Sequence, residues 1–190
     1  MISIKSISWQ PTLLDNGPDA CLEFINEYFP AKYDWLRLAE AAATKAAAHI
    51  KLGEKPFEKG LCWIRVAVEL YERMADQLNL VKKDACLRLR LPALALRVQA
   101  IATWGPRDDD SLLNPEEVIT RFHYLIEVSP EELEDDSSFP RLPNIRNALD
   151  ITKQVEPLLN VEPLRLKFPE LSEYCRAANI ARENSRTRIV

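Results

Sequence analysis

The sequence predicts an all-α fold, an antiparallel bundle or array of six to eight helices. Three observations carry that expectation. Glycine occurs only at Gly17, Gly53, Gly60 and Gly105, too few for the tight positive-φ turns of a β fold. Residues 31–52 are rich in alanine, the strongest helix former. Between residues 57 and 78, Phe57, Leu61, Ile64, Val68, Tyr71, Ala75 and Leu78 alternate spacings of four and three, the period of a helix face.

The elements follow in order. Residues 1–17 read as irregular, with at most one short strand from the alternation of Ile2, Ile4, Ile7 and Trp9. Asp15-Asn16-Gly17-Pro18 reads as a turn, and residues 18–29 as a short helix ended by Pro30. Residues 31–52 form the next helix, with Trp35, Ala39, Ala42, Ala46 and Ile50 on one side and Gly53 as its terminator. The helix over 57–78 is apolar around much of its circumference, because Trp63, Val66, Ala67, Leu70 and Met74 widen its stripe, so it is expected at the centre. The short link 53–56 makes these two helices an αα-hairpin.

Residues 82–104 carry two patterns. Leu87, Leu89 and Leu91 alternate like a strand, whereas Leu87, Leu91, Leu94, Val98 and Ile101 repeat at helical spacing. The longer pattern decides for a helix, bent or restarted near Pro92. After a loop at 105–113, Asn114, Pro115 and Glu117 give an N-cap, an N1 proline and an N3 glutamate. That helix is expected to reach Val128. Ser129-Pro130-Glu131-Glu132 opens a short helix, residues 135–143 are a polar loop, and Asn144–Leu159 and Pro169 to about Glu183 are two further helices. Residues 1–184 read as a single helical domain and 185–190 as a frayed basic tail.

The hairpin at 31–78 resembles tetratricopeptide-like helical repeats: Trp35 early in the first helix, Gly53 after it, Ala67 and Tyr71 on the inner face of the second. Its helices exceed the usual repeat length, and no fixed period recurs downstream. The resemblance covers about a quarter of the chain. It implies a scaffold that binds a peptide or partner protein.

Composition sets limits. The chain has 190 residues and a net charge of −4, which implies no bulk attraction to nucleic acid or anionic membrane. No apolar run of about 18 residues occurs, so no membrane span is expected, and the first five residues lack an apolar signal core. Cys21, Cys62, Cys86 and Cys175 are widely spaced, which suits reduced thiols in a cytoplasmic protein. No cofactor and no metal is expected. There is no phosphate-binding glycine loop, no H-E-x-x-H, no C-x-x-C and no G-x-S-x-G.

Charge is sorted along the chain. Lys83, Arg90, Arg97 and Trp104 recur every seven residues and so share one helix face, with Lys82 and Arg88 nearby. Such a stripe suits carboxylate or phosphate recognition with an indole for stacking, or it is a solvated helix face. Immediately downstream, residues 107–136 hold eleven Asp or Glu against Arg107 and Arg121, a local charge of −9 that leaves +5 for the rest of the chain. Those acids dock a basic partner, or they serve solubility and helix capping. A third arrangement has the two segments facing each other within the fold. Asp108-Asp109-Asp110 lacks the spacing of a calcium loop and reads as solvated. His123 with Glu127 and Glu116 falls short of the convergent ligand set that a metal requires, and reads as structural.

The function expected is a non-enzymatic protein–protein interaction scaffold or adaptor, binding a partner, such as an acidic segment, through a helical groove bearing Lys83, Arg90, Arg97 and Trp104. The alternative is a small helical subunit of a nucleic-acid-associated, ribonucleoprotein assembly, tracking phosphates with the stripe and with Arg176, Arg182, Arg186 and Arg188. A helical enzyme using carboxylates and a divalent ion is the third and least supported reading.

Overall fold

The computed structural model describes residues 12–31, 33–53, 57–78, 83–121, 123–127 and 149–187. The possible strand of Ile2, Ile4, Ile7 and Trp9, the helix opening at Ser129 and the loop at 135–143 lie outside these residues. Among the described residues the regular structure is entirely helical and contains no strand. In chain order it comprises α1 (Thr12–Asp15), α2 (Pro18–Tyr28), α3 (Trp35–Leu52), α4 (Phe57–Leu78), α5 (Lys83–Trp104), α6 (Pro115–Arg121), a short 3-10 helix (His123–Glu127), α7 (Leu149–Leu159), α8 (Glu162–Lys167) and α9 (Pro169–Thr187). The chain divides into two compact units, residues 1–96 and 97–190.

The first unit is organised on α4. Its buried residues form a broad face, among them Trp63, Ile64, Val66, Leu70 and Tyr71, while Arg65 and Asp76 are exposed. α2 and α3 both pack on it. α3 begins at Trp35 rather than at residue 31, because Asp34 caps it: its carboxylate accepts the Arg37 N–H at 3.1 Å. Its buried face is Leu38, Ala39, Ala42, Ala43, Ala46 and Ala47. Side chains this small let the backbones of α3 and α4 approach closely. The helix ends as expected at Gly53, which has a φ of 71° and donates its N–H to the Ile50 carbonyl at 3.1 Å.

α5 passes through Pro92 as one helix and neither stops nor restarts there. An interior proline costs a helix about 3 kcal/mol. Burial accounts for its tolerance here: every residue from Leu91 to Val98 is buried, Pro92 included. At about 25 cal/mol for each Å² of apolar surface removed from water, that run outweighs the loss.

The second unit begins at Arg97. Asn114 caps α6 as its sequence demands, Oδ1 accepting the Glu117 N–H at 3.1 Å. The helix ends at Arg121, and a 3-10 turn replaces the expected continuation to Val128. His123, Tyr124 and Ile126 are weak helix formers and favour that tightening. α8 falls between the two expected helices, in a stretch to which the sequence assigns no element. Pro163 lies in its first turn, where the missing N–H would have no intrahelical acceptor in any case. α9 packs on α7, on α8 and on the 3-10 helix. Its buried stripe is Leu171, Cys175, Ala178 and Arg182, spaced four, three and four, so an arginine occupies the last core position.

Candidate functional site

The four residues of the expected stripe meet different fates. Lys83 opens α5 within the first unit, and its side chain lies outside the described ones. Arg90 stands at the surface of that unit, where Nη2 meets the Asp76 carboxylate of α4 at 3.2 Å. The partner carboxylate is 67% exposed, so this hold is worth at most about 1 kcal/mol.

Arg97 belongs to the second unit and is only 3% exposed. Its guanidinium donates to two backbone carbonyls of the loop that follows α5, Nε to Leu112 at 3.1 Å and Nη2 to Ser111. Five N–H donors in a planar fork allow one side chain to hold two carbonyls at once. A partner reaches this guanidinium only by displacing the loop. Trp104, the last residue of α5, is half-buried. Periodicity therefore aligns the four positions, but the structure presents Arg90 outward and Arg97 inward.

The loop under Arg97 also explains the aspartate triplet. Arg107 donates its backbone N–H to Leu113 at 3.0 Å, and its guanidinium grips Asp109 through two bonds of 3.0 and 2.7 Å. That contact holds the Asp109 carboxyl below the usual carboxylate range. Asp110 accepts the Leu112 N–H at 2.9 Å, and Asp108 is exposed. The three carboxylates serve a turn and an ion pair rather than one centre. Among the described residues, no three His, Cys, Asp or Glu converge as a metal site. His123 lies beside Phe168, ring centroids 6.2 Å apart, and its Nδ1 is buried with no hydrogen-bond partner among the described residues.

The thiols are equally plain. Cys21, Cys62 and Cys175 are free. Burial pushes Cys21 up to about 11, offset in part by Lys45, and pushes Cys175 up to about 12, with Glu156 adding to the shift. Both are therefore protonated at neutral pH and unsuited to nucleophilic work.

A feature that periodicity does not single out is an aromatic cluster where α2 runs into α3. Phe24, Tyr28, Phe29, Tyr33 and Trp35 stack edge to face or tilted, with centroids 4.9 to 5.8 Å apart. Trp35 forms the buried floor, its indole N–H bonded to the Ala31 carbonyl at 2.8 Å. Arg73 lies over the Phe29 ring at 5.8 Å and is held by Glu69 at 2.7 Å and Asn26 at 2.6 Å. Five aromatics within residues 24–35 are visible in the sequence as a local density, but only the fold gathers them.

Comparison with family models, with curated proteins and with solved structures finds no match to this chain. Among the described residues, no helix is long and apolar enough to cross a membrane.

Proposed function

We propose that the protein is a non-enzymatic interaction scaffold that binds an acidic segment of another protein on the basic face of α5. Arg90 carries this reading. Its half-buried guanidinium reaches the exposed Asp76 carboxylate at 3.2 Å, the kind of contact that a partner's carboxylate can also make. Lys83, seven residues earlier, adds charge on the same side of the helix by register. The tetratricopeptide-like features of the α3–α4 hairpin support a scaffold over a catalyst.

The test is titration of a fluorescein-labelled oligoglutamate peptide, read by anisotropy. Saturable binding is expected, weakened about tenfold by Arg90→Glu and tightened by Asp76→Asn. Absence of binding, or equal affinity in both variants, overturns the reading. A single-stranded oligonucleotide that binds more tightly, with a steep salt dependence, would replace it with the nucleic-acid alternative.

A further inference from the structure

The first unit carries a second surface of opposite charge, independent of Arg90. On α2, Asp19, Glu23 and Glu27 are spaced by four and all exposed, and the helix contains no lysine or arginine. The row ends on Tyr28, which is 38% exposed. The Glu27 carboxylate accepts from the Tyr28 hydroxyl and raises that phenol above its ordinary range. Behind Tyr28 lie Phe24 at 4.9 Å and Tyr33 at 5.8 Å, the latter tilted by 71°, with Trp35 as their floor. This surface is an aromatic step at the end of an acidic ridge.

The chemistry of the step is illustrated within the same unit. The cluster already holds one cation over a ring, Arg73 on Phe29, and Lys45 stands 5.3 Å from the Trp63 ring centre. Aromatic faces attract cations through the ring quadrupole, by about 0.5–1 kcal/mol at exposed sites. Carboxylates at a spacing of four match cations at the same spacing on an opposing helix. Tyrosine is also among the residues that dominate binding energy at protein interfaces. Nucleic acid is repelled by the ridge.

We propose that the α2 ridge and the Tyr28 step form a docking site for a lysine- or arginine-rich helical segment of a partner protein. The basic residues pair with Asp19, Glu23 and Glu27, and the terminal cation lies over Tyr28. A site of this size falls in the weak, transient class, with affinity of about 1 μM.

The probe is a fluorescein-labelled, alanine-based helical peptide with an arginine at every fourth position, titrated into the full chain. Saturable binding is expected, with about a tenfold loss in Glu23→Lys/Glu27→Lys and about a fivefold loss in Tyr28→Ser. All three positions face solvent, so circular dichroism should show unchanged folding. Glu170→Lys/Glu173→Lys on exposed turns of α9 makes the same change in net charge elsewhere and should leave affinity within about twofold. An equal loss in that control shows bulk attraction only and overturns the site. Full affinity in Tyr28→Ser removes the aromatic step, and absence of binding removes the proposal. The oligoglutamate titration reads Arg90 separately, so each proposal can fail without the other.

Discussion

Alanines line the buried face of α3 in the first unit, whereas an arginine closes the buried stripe of α9 in the second. The α3–α4 hairpin buries mostly apolar side chains; among the described residues, its Tyr71 hydroxyl and His49 Nδ1 are buried without a hydrogen-bond partner. The α7–α9 contact mixes Ile151, Val155 and Leu171 with a polar strip. Arg182 faces Asp150 at 3.6 Å, and Asn179 donates to Glu156. Gln154 Oε1, Asn179 Oδ1 and two guanidinium nitrogens of Arg182 are buried without hydrogen bonds among the described residues. An apolar contact gains stability from area and tolerates loose specification. A polar one gains little net stability but penalises every wrong alignment, because each misplaced group leaves a buried charge or dipole unmet.

The sharpest way to break this contrast is to remove one half of the ion pair. Arg182 and Asp150 have side chains only 10% and 16% exposed. Asp150→Leu or Arg182→Leu should each cost about 3 kcal/mol, because the remaining charge stays buried. The double variant should recover most of that loss in urea melts. Equal losses in single and double variants would show that the pair stabilises the fold outright, and that the α7–α9 contact is not the specificity device described above.

Alkaline titration separates the two units by their thiols. Both thiols have folded values above the ordinary 9.0, about 11 for Cys21 and about 12 for Cys175. A raised value means the folded state resists ionisation, so the stabilisation is whole below pH 9 and declines as pH rises toward the folded value. Each pH unit in that window costs about 1.4 kcal/mol per thiol. Cys175→Ala should flatten the stability curve up to about pH 12. Cys21→Ala should flatten it only to about pH 11. Unaltered slopes in both variants would place alkaline sensitivity elsewhere.

The smallest effect is expected at Tyr71→Phe. Removing a hydroxyl that is buried and unpaired should leave stability unchanged or raise it by up to about 1 kcal/mol. A loss beyond that in thermal melts would reveal a partner for this hydroxyl and make the α3–α4 contact less apolar than its burial suggests.

Legibility of the sequence varied with what each feature depends on. α4 matches its expected bounds, because twenty-two residues of consistent period leave one solution. The caps at Gly53 and Asn114 are local chemistry and were readable for that reason. The start of α3 differs from the alanine-rich bounds because the cap at Asp34, a single residue, decides where the helix begins. α8 is only six residues long, too short for a helical period to mark it in the sequence. At Arg97 the sequence specifies only an angle around a helix axis. Whether that angle faces water depends on where Leu112 and Leu113 fold, and those residues lie in a loop without period. The aromatic cluster and the α2 ridge escaped for a related reason: each is a short-range composition whose meaning appears only when α2 and α3 turn toward each other.

The loop under Arg97 bears on any attempt to cut or tag the chain. Residues 105–111 look inviting for an inserted epitope, being mostly acidic or small, largely exposed and without regular structure. Yet Gly105 holds a φ of 86°, and the carbonyls of Ser111 and Leu112 are ligands of a buried guanidinium. Extra residues there would slide those two oxygens away from a cation that is only 3% exposed.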